Sequence, residues 1–250
     1  MVFSASRLTT LLGLGLFAGM ASVAHADTAT VAVAANFTGT MEKLEKSFET
    51  SSGHELKVSY GSTGKLYAQI SNGAPFDIFL AADQARPHKA VEAGLAVADS
   101  EFTYAQGVLA LWSTEPLSSD DLATVLSGDY QHLAIGNPVT APYGLAATQT
   151  LQSLKLWDSL KDKLVQGDNI SQTYQFVATG NAELGFVALS QVKDGEQAGA
   201  SLTVPGQYYQ PIRQDAVMLK QGADNAAAQA FYAYLKSPEA RQVIEASGYR

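Results

Sequence analysis

The sequence predicts an α/β chain folded into two lobes, and three observations carry that prediction. Apolar runs of strand length alternate with segments whose apolar residues recur three or four apart, the pattern of a sheet flanked by helices. After one complete series the pattern restarts near residue 118. No flexible linker, fixed-period repeat or low-complexity segment separates the two series, so strands themselves must carry the chain between lobes. Residues 104–111 and 212–219 are the candidates for the two crossings.

Residues 1–26 are set apart from the fold. Arg7 in a short polar start, the apolar run 11–23 and the triplet Ala24-His25-Ala26 form a secretory signal with an A-x-A cleavage site, so the mature chain is expected to begin at Asp27. The apolar run is too short for a membrane span. Removing the signal leaves 15 basic against 24 acidic residues, a net charge of −9. That balance argues against nucleic acid or an anionic membrane as partner. It does not exclude a small anion, because backbone dipoles and neutral donors act locally. The absence of cysteine excludes disulfides and thiolate metal sites. With 46% hydrophobic residues, the chain has material for two lobes of ~100 residues each.

Residues 28–35 are a buried strand, after which Phe37, Met41, Leu44 and Phe48 mark a helix that Gly53 closes. A second strand covers 54–60, and Leu66 and Ile70 mark a short helix ending at Asn72-Gly73. Pro75 ends the loop, 77–82 is a third strand, and 87–93 is a helix that Gly94 closes. This alternation implies a mostly parallel sheet. Residues 107–112 form a further strand. The second series begins with a helix at 118–126, opened by a hydroxyl cap and early acids. Then come a strand at 132–136, a turn at 137–144, a helix at 145–154, a strand-like piece at 163–165, a helix at 171–179 and a strand at 183–189. Strand 217–219 and helices 225–235 and 238–246 complete the chain, Ser237-Pro238 serving as cap and first helical position.

The junctions at 31–40 and 57–66 each run from a strand through small polar residues into a helix. A helix start leaves N–H groups without partners and carries partial positive charge, so two such starts aimed at one spot hold an oxyanion without lysine or arginine. Asn36 and Thr38 lie in the first junction; Ser62 and Thr63, flanked by Gly61 and Gly64, lie in the second. Each taken alone also suits an ordinary cap or tight turn. A nucleotide loop does not fit the second, because Ser59 stands where its first glycine belongs and Leu66 where it needs Ser or Thr. Pro142-Tyr143-Gly144 puts a phenol at a helix start in the second lobe, and Asp168-Asn169-Ile170-Ser171 is a further cap.

Asn36, Thr38, Ser62, Thr63 and Tyr143 can all donate hydrogen bonds, and none is a charge. A shell of donors suits a fully deprotonated tetrahedral dianion, whereas phosphate keeps a proton and calls for a carboxylate acceptor. Enzymatic readings find no support. There is no G-x-S-x-G or H-E-x-x-H, and His25, His54, His88 and His132 are scattered, so neither catalysis nor a protein-ligated metal is expected. Asp77 and Asp83 read as a strand end and a helix cap, and the aromatic residues at 208–209 and 231–234 as packing.

The segments VAVAANFTGTMEKL, SYGSTGKLYAQI, NGAPFDIFLAADQ, GNPVTAPYG, ELGFVALSQV and YLKSPEARQVIEASGY, in this order, resemble the periplasmic molybdate-binding proteins of ABC-type importers over essentially the whole mature chain. The resemblance implies a two-lobed periplasmic-binding-protein fold of type II, with two crossover strands as hinge. Lobe 1 is then expected from residues 27–106 and 214–250, and lobe 2 from 107–213. It implies an oxyanion shell of Asn36, where other members have serine, of Thr63 with Ser62 beside it, of Tyr143, and of Ile170, where a valine N–H is common. Some members add a tyrosine hydroxyl at the position of Ala188 and have a small residue at that of Tyr143, so the Tyr143 hydroxyl is expected to replace that donor. The implied function is a non-catalytic periplasmic receptor, monomeric and without cofactor, that takes molybdate or tungstate to a membrane permease. The alternative is a receptor for sulfate or another tetrahedral oxyanion. An enzyme or a sensor on the same lobes is disfavoured, since no nucleophile and base are paired in the sequence.

Overall fold

In a computed structural model, which describes residues 1, 2, 26–195 and 197–250, two five-stranded sheets divide the chain. The signal reading of residues 1–26 lies outside the described residues except at Met1, Val2 and Ala26. Among the described residues, no helix is long and apolar enough to cross a membrane.

The first series runs β1 (Thr28–Ala34), α1 (Thr38–Ser52), β2 (Glu55–Gly61), α2 (Thr63–Ser71), β3 (Ile78–Leu80), α3 (Ala85–Glu92) and β4 (Phe102–Gly107). A single 3-10 turn, Ala35–Phe37, joins β1 to α1. β1 is an almost unbroken apolar run because it lies inside the sheet, with Val31, Ala32 and Val33 fully covered. α1 turns Met41, Leu44 and Phe48 toward that sheet, and Gly53 ends it at φ 73°, a left-handed conformation natural to glycine.

The second series runs β5 (Leu109–Ser113), α4 (Leu122–Leu126), β6 (Leu133–Gly136), α5 (Pro142–Ser153), α6 (Trp157–Leu160), β7 (Leu164–Gly167), α7 (Ile170–Ala178), β8 (Leu184–Ala188), α8 (Leu189–Asp194) and β9 (Ala200–Thr203). β10 (Ile212–Met218) returns to the first sheet, and α9 (Ala226–Tyr234) and α10 (Pro238–Ala246) pack on it. The strand orders are β2-β1-β3-β10-β4 and β7-β6-β8-β5-β9.

Both sheets are mixed rather than mostly parallel. β1 runs parallel to β2 and β3, and β6 to β7 and β8, but β10 is antiparallel to β3 and β4, and β5 to β8 and β9. The cause is the double crossing: β4 leads the chain out of the first sheet and β10 leads it back, so neighbours with opposite errands run in opposite directions. The strand expected at 107–112 is in fact the end of β4 and the whole of β5, interrupted at Val108, whose carbonyl accepts from the Leu189 N–H at 2.9 Å. α4 starts at Leu122 under an Asp121 cap rather than at Ser118, and α5 starts at Pro142, three residues before the expected helix. α6, α8 and β9 were not anticipated.

The crossings are stitched where they meet. A register shift falls between Gln214 and Asp215 as β10 pairs with β4, and Gln214 is wholly buried there. The residues after α10 return to the same place. Phe37 packs edge-on against Tyr104 and Tyr249, and Arg250 and Gln106 exchange backbone hydrogen bonds at 3.0 and 2.9 Å.

Candidate functional site

Five segments from the two sheets' ends line a small, narrow cavity. The 3-10 turn after β1 brings Ala35 and Asn36, the start of α2 brings Ser62 and Thr63, the end of β3 leads to Ala82, the start of α5 brings Pro142 and Tyr143, and the start of α7 brings Ile170. None of the lining residues is charged. Asn36, Ser62, Thr63, Tyr143 and Ile170 are all buried, so the two lobes are closed over the site.

The sequence makes these helix starts receptive. Neither α2 nor α5 has a side-chain cap, and Pro142 at the start of α5 brings a fixed φ and no N–H of its own. No side chain caps their first backbone donors, though the Gly64 N–H goes to Thr140 O and the Gly144 N–H to Ala141 O, both at 2.9 Å. α7 differs: Asn169 caps it by accepting from the Gln172 N–H, in line with a cap at 168–171, and Ile170 is the residue of that turn that reaches the cavity.

Three hydroxyls keep a proton to give. Thr63 Oγ1 accepts from the Ala82 N–H at 3.0 Å, which fixes the side chain and leaves its O–H unused. Ser62 Oγ is buried with no hydrogen-bond partner, an orphan that costs stability unless something in the cavity takes its proton. Tyr143 is 1% exposed, and its hydroxyl accepts from Gln214 Nε2 at 3.2 Å. Burial, with smaller contributions from Tyr249 and Tyr104, holds the Tyr143 phenol well above its ordinary pKa, so it stays protonated at neutral pH.

Two of the expected donors are placed otherwise. Asn36 lines the cavity, but its Nδ2 donates to Gln214 Oε1 at 2.8 Å and to Tyr249 Oη at 3.0 Å, so both amide protons are used within the protein. Asn36 can meet a ligand through its main chain rather than its side-chain N–H. Thr38 is outside the lining; its hydroxyl donates to Ala35 O at 2.9 Å and closes the 3-10 turn. Ala188, at the end of β8, does not line the cavity either. Gln214 and Tyr249, which hold the site from behind, were missed. Gln214 stands between Arg213 and Asp215 in β10, so no local pattern marks it out.

Hydrogen bonds and ion pairs tie the lobes together around the cavity. Besides Gly64 to Thr140, Ser171 Oγ donates to Ala35 O at 3.1 Å, Ser190 Oγ to Asn36 O at 3.1 Å, and Arg86 Nη2 to Val139 O at 2.7 Å. Arg86 is also paired with Asp83. Lys65 meets Asp168 at 2.8 Å and Lys43 meets Asp194 at 2.6 Å. The two ion pairs are partly or largely exposed and screened by salt, so the buried hydroxyl and backbone bonds contribute more to closure. Larger hollows lie elsewhere, and one of them, lined in part by residues 113–118, carries Glu115, Asp129 and Glu183, whose charge disfavours an anion. Among the described residues, no group of three or more His, Cys, Asp or Glu could hold a metal ion.

The sequence profile of the bacterial extracellular solute-binding protein family matches residues 29–250. The chain is 55% identical to "Molybdate-binding protein ModA" of Azotobacter vinelandii, over 100% of this chain and 99% of that one. A protein of the same name from Rhodobacter capsulatus is 49% identical over 94% of this chain and 93% of its own length. Among solved structures, the Azotobacter vinelandii periplasmic molybdate-binding protein superposes with a TM-score of 0.85 at 42% identity, covering 89% of this chain and 98% of its own.

Proposed function

We propose that this chain, which belongs to the bacterial extracellular solute-binding protein family, captures molybdate and hands it to the permease of an ABC importer. It is a receptor and not an enzyme: the solute is bound and released unchanged. The observation that carries the ligand class is the small buried cavity with spare donors and no charged residue. A dianion without protons can accept from every donor around it, while a ligand bearing a proton leaves one donor opposed to another. Tungstate, with the same charge and shape, is expected to bind as well.

In this reading Thr63, Ser62 and Tyr143 give hydroxyl protons, and Asn36 and Ile170 contribute backbone N–H groups at helix starts. Thr38 braces the first turn without touching the ligand. The lobes comprise residues 27–106 with 214–250 and residues 107–213, and they open about the two crossings to admit the anion. The receptor works as a monomer in the periplasm after losing residues 1–26, needs no cofactor, and has no role in nucleic-acid binding.

Thermal melts with molybdate, tungstate, sulfate and phosphate test the proposal. A ligand at 1,000 times its Kd adds about 4 kcal/mol, so the first two should raise the Tm by about 10 °C in a chain of this size. Equal shifts with sulfate would make it a general tetrahedral-oxyanion receptor. No shift with any of the four would end the oxyanion reading.

A further inference from the structure

We propose that Gln214 is a positioning residue for ligand selection: its amide occupies the acceptor side of the Tyr143 hydroxyl and so commits that hydroxyl's proton to the bound oxyanion. This rests on the reading of the cavity as an oxyanion site. Gln214 is wholly buried on β10, at the crossing between lobes, and it touches both halves of the site. Its Oε1 accepts from Asn36 Nδ2 of the first lobe at 2.8 Å and lies 3.2 Å from the Tyr104 hydroxyl, whose proton it shares with Ala81 O at 3.0 Å, while its Nε2 donates to the Tyr143 hydroxyl of the second lobe at 3.2 Å.

A phenol has one proton to give. With Nε2 donating to it, Tyr143 has no protein acceptor for that proton, and the cavity is the remaining direction. The amide turned over would set Nε2 against Asn36 Nδ2, donor against donor, so Asn36 fixes the arrangement in which Nε2 faces Tyr143. An oxyanion suits that arrangement, because the phenol then meets it with its proton rather than a lone pair. The chain Asn36–Gln214–Tyr143 thereby couples the polarity of the second lobe's hydroxyl to a turn in the first, and does so only when the lobes are closed.

Gly107 shows how closely this contact is built. A Cβ there would lie 2.8 Å from Gln214 Nε2 and closer still to the Tyr143 hydroxyl, so only glycine leaves room for the pair. No ionised side chain takes part in the contact, which keeps it intact through neutral pH.

The test is a double-mutant cycle of Gln214→Met and Tyr143→Phe, with molybdate Kd from calorimetry and folding checked by thermal melts. Gln214→Leu replaces the methionine variant if the latter does not fold. Each single change is expected to weaken molybdate binding about 10- to 100-fold, and the double variant no more than about threefold beyond Tyr143→Phe. The tyrosine Raman doublet, which distinguishes a donating from an accepting phenol, supplies a second readout. Taken as the difference between the parent and Tyr143→Phe, it should move toward donation on adding molybdate, and the movement should be lost with methionine or leucine at 214. Losses that multiply in the double variant, or an unchanged Raman response without the glutamine, overturn the proposal. So does a Tyr143→Phe protein that binds as tightly as its parent. If the parent itself binds no oxyanion, it is the site reading that fails.

Discussion

Alanine in place of Gly144 lowers the Tm by roughly 6–12 °C, the largest loss of stability expected from any one-methyl change near the site. The added Cβ would lie 2.1 Å from the Gly136 carbonyl oxygen and 2.5 Å from its carbon, with the Asn137 backbone 3.0 Å away. All three contacts are main chain, so no side chain can swing aside. α5 must then lift off the end of β6, at a cost of about 3 kcal/mol or more, which corresponds to that Tm loss in a protein of this length. Because Tyr143 precedes the glycine, binding weakens together with stability. Gly206→Ala is the control, having nothing within 4 Å of an added Cβ and no left-handed φ. Calorimetric unfolding of both variants decides the matter, and a Gly144→Ala protein that melts within 2 °C of its parent refutes the packing argument.

Thr63→Val is expected to have the largest effect on affinity, raising the molybdate Kd about 100-fold. Valine matches threonine in shape but removes two hydrogen bonds. The Ala82 N–H loses its acceptor inside a buried turn, which costs about 1–3 kcal/mol of stability, and the ligand loses a charge-assisted donor worth about 1.5–3 kcal/mol. Thr63→Ser keeps the hydroxyl and should bind within a few-fold of the parent. Titration calorimetry on the two variants separates loss of the hydroxyl from loss of the methyl. Binding by Thr63→Val within threefold of wild type would remove Thr63 from the shell.

These effects fall at positions where local pattern is strong, which is why much of the cavity lining could be read from the chain. Ser62 and Thr63 stand between glycines at the end of a strand, and Pro142 sits where only a helix start tolerates it. The helix ends at Gly53 and Gly94 and the buried strand at 28–34 were legible for the same reason: each is written in consecutive residues. What escaped depends on distant partners. The donors of Asn36 are used by Gln214 and Tyr249, 178 and 213 positions away, and no local rule reports that they are used at all. Thr38 has the right chemistry and proximity but turns back on the Ala35 carbonyl, three residues earlier. α8 begins directly at the end of β8 with an alanine in the cap position, and β9 is a four-residue edge strand, so neither carries a start signal. The antiparallel pairs follow from the crossing topology, which periodicity does not encode.

The placement of β10 between β3 and β4 also sets an order of assembly. The second sheet is built from one continuous stretch of chain, so its contacts can form as soon as that stretch exists. The first cannot be finished that way: β4 finds its inner neighbour only after the whole second lobe has been made, and the Tyr104–Gln214 bond closes a loop of 110 residues. Such long closures are slow and come late. The cavity that needs Asn36, Gln214 and Tyr249 together is therefore among the last features to form, and a chain emerging from its amino end cannot trap an anion before nearly all of it has been delivered.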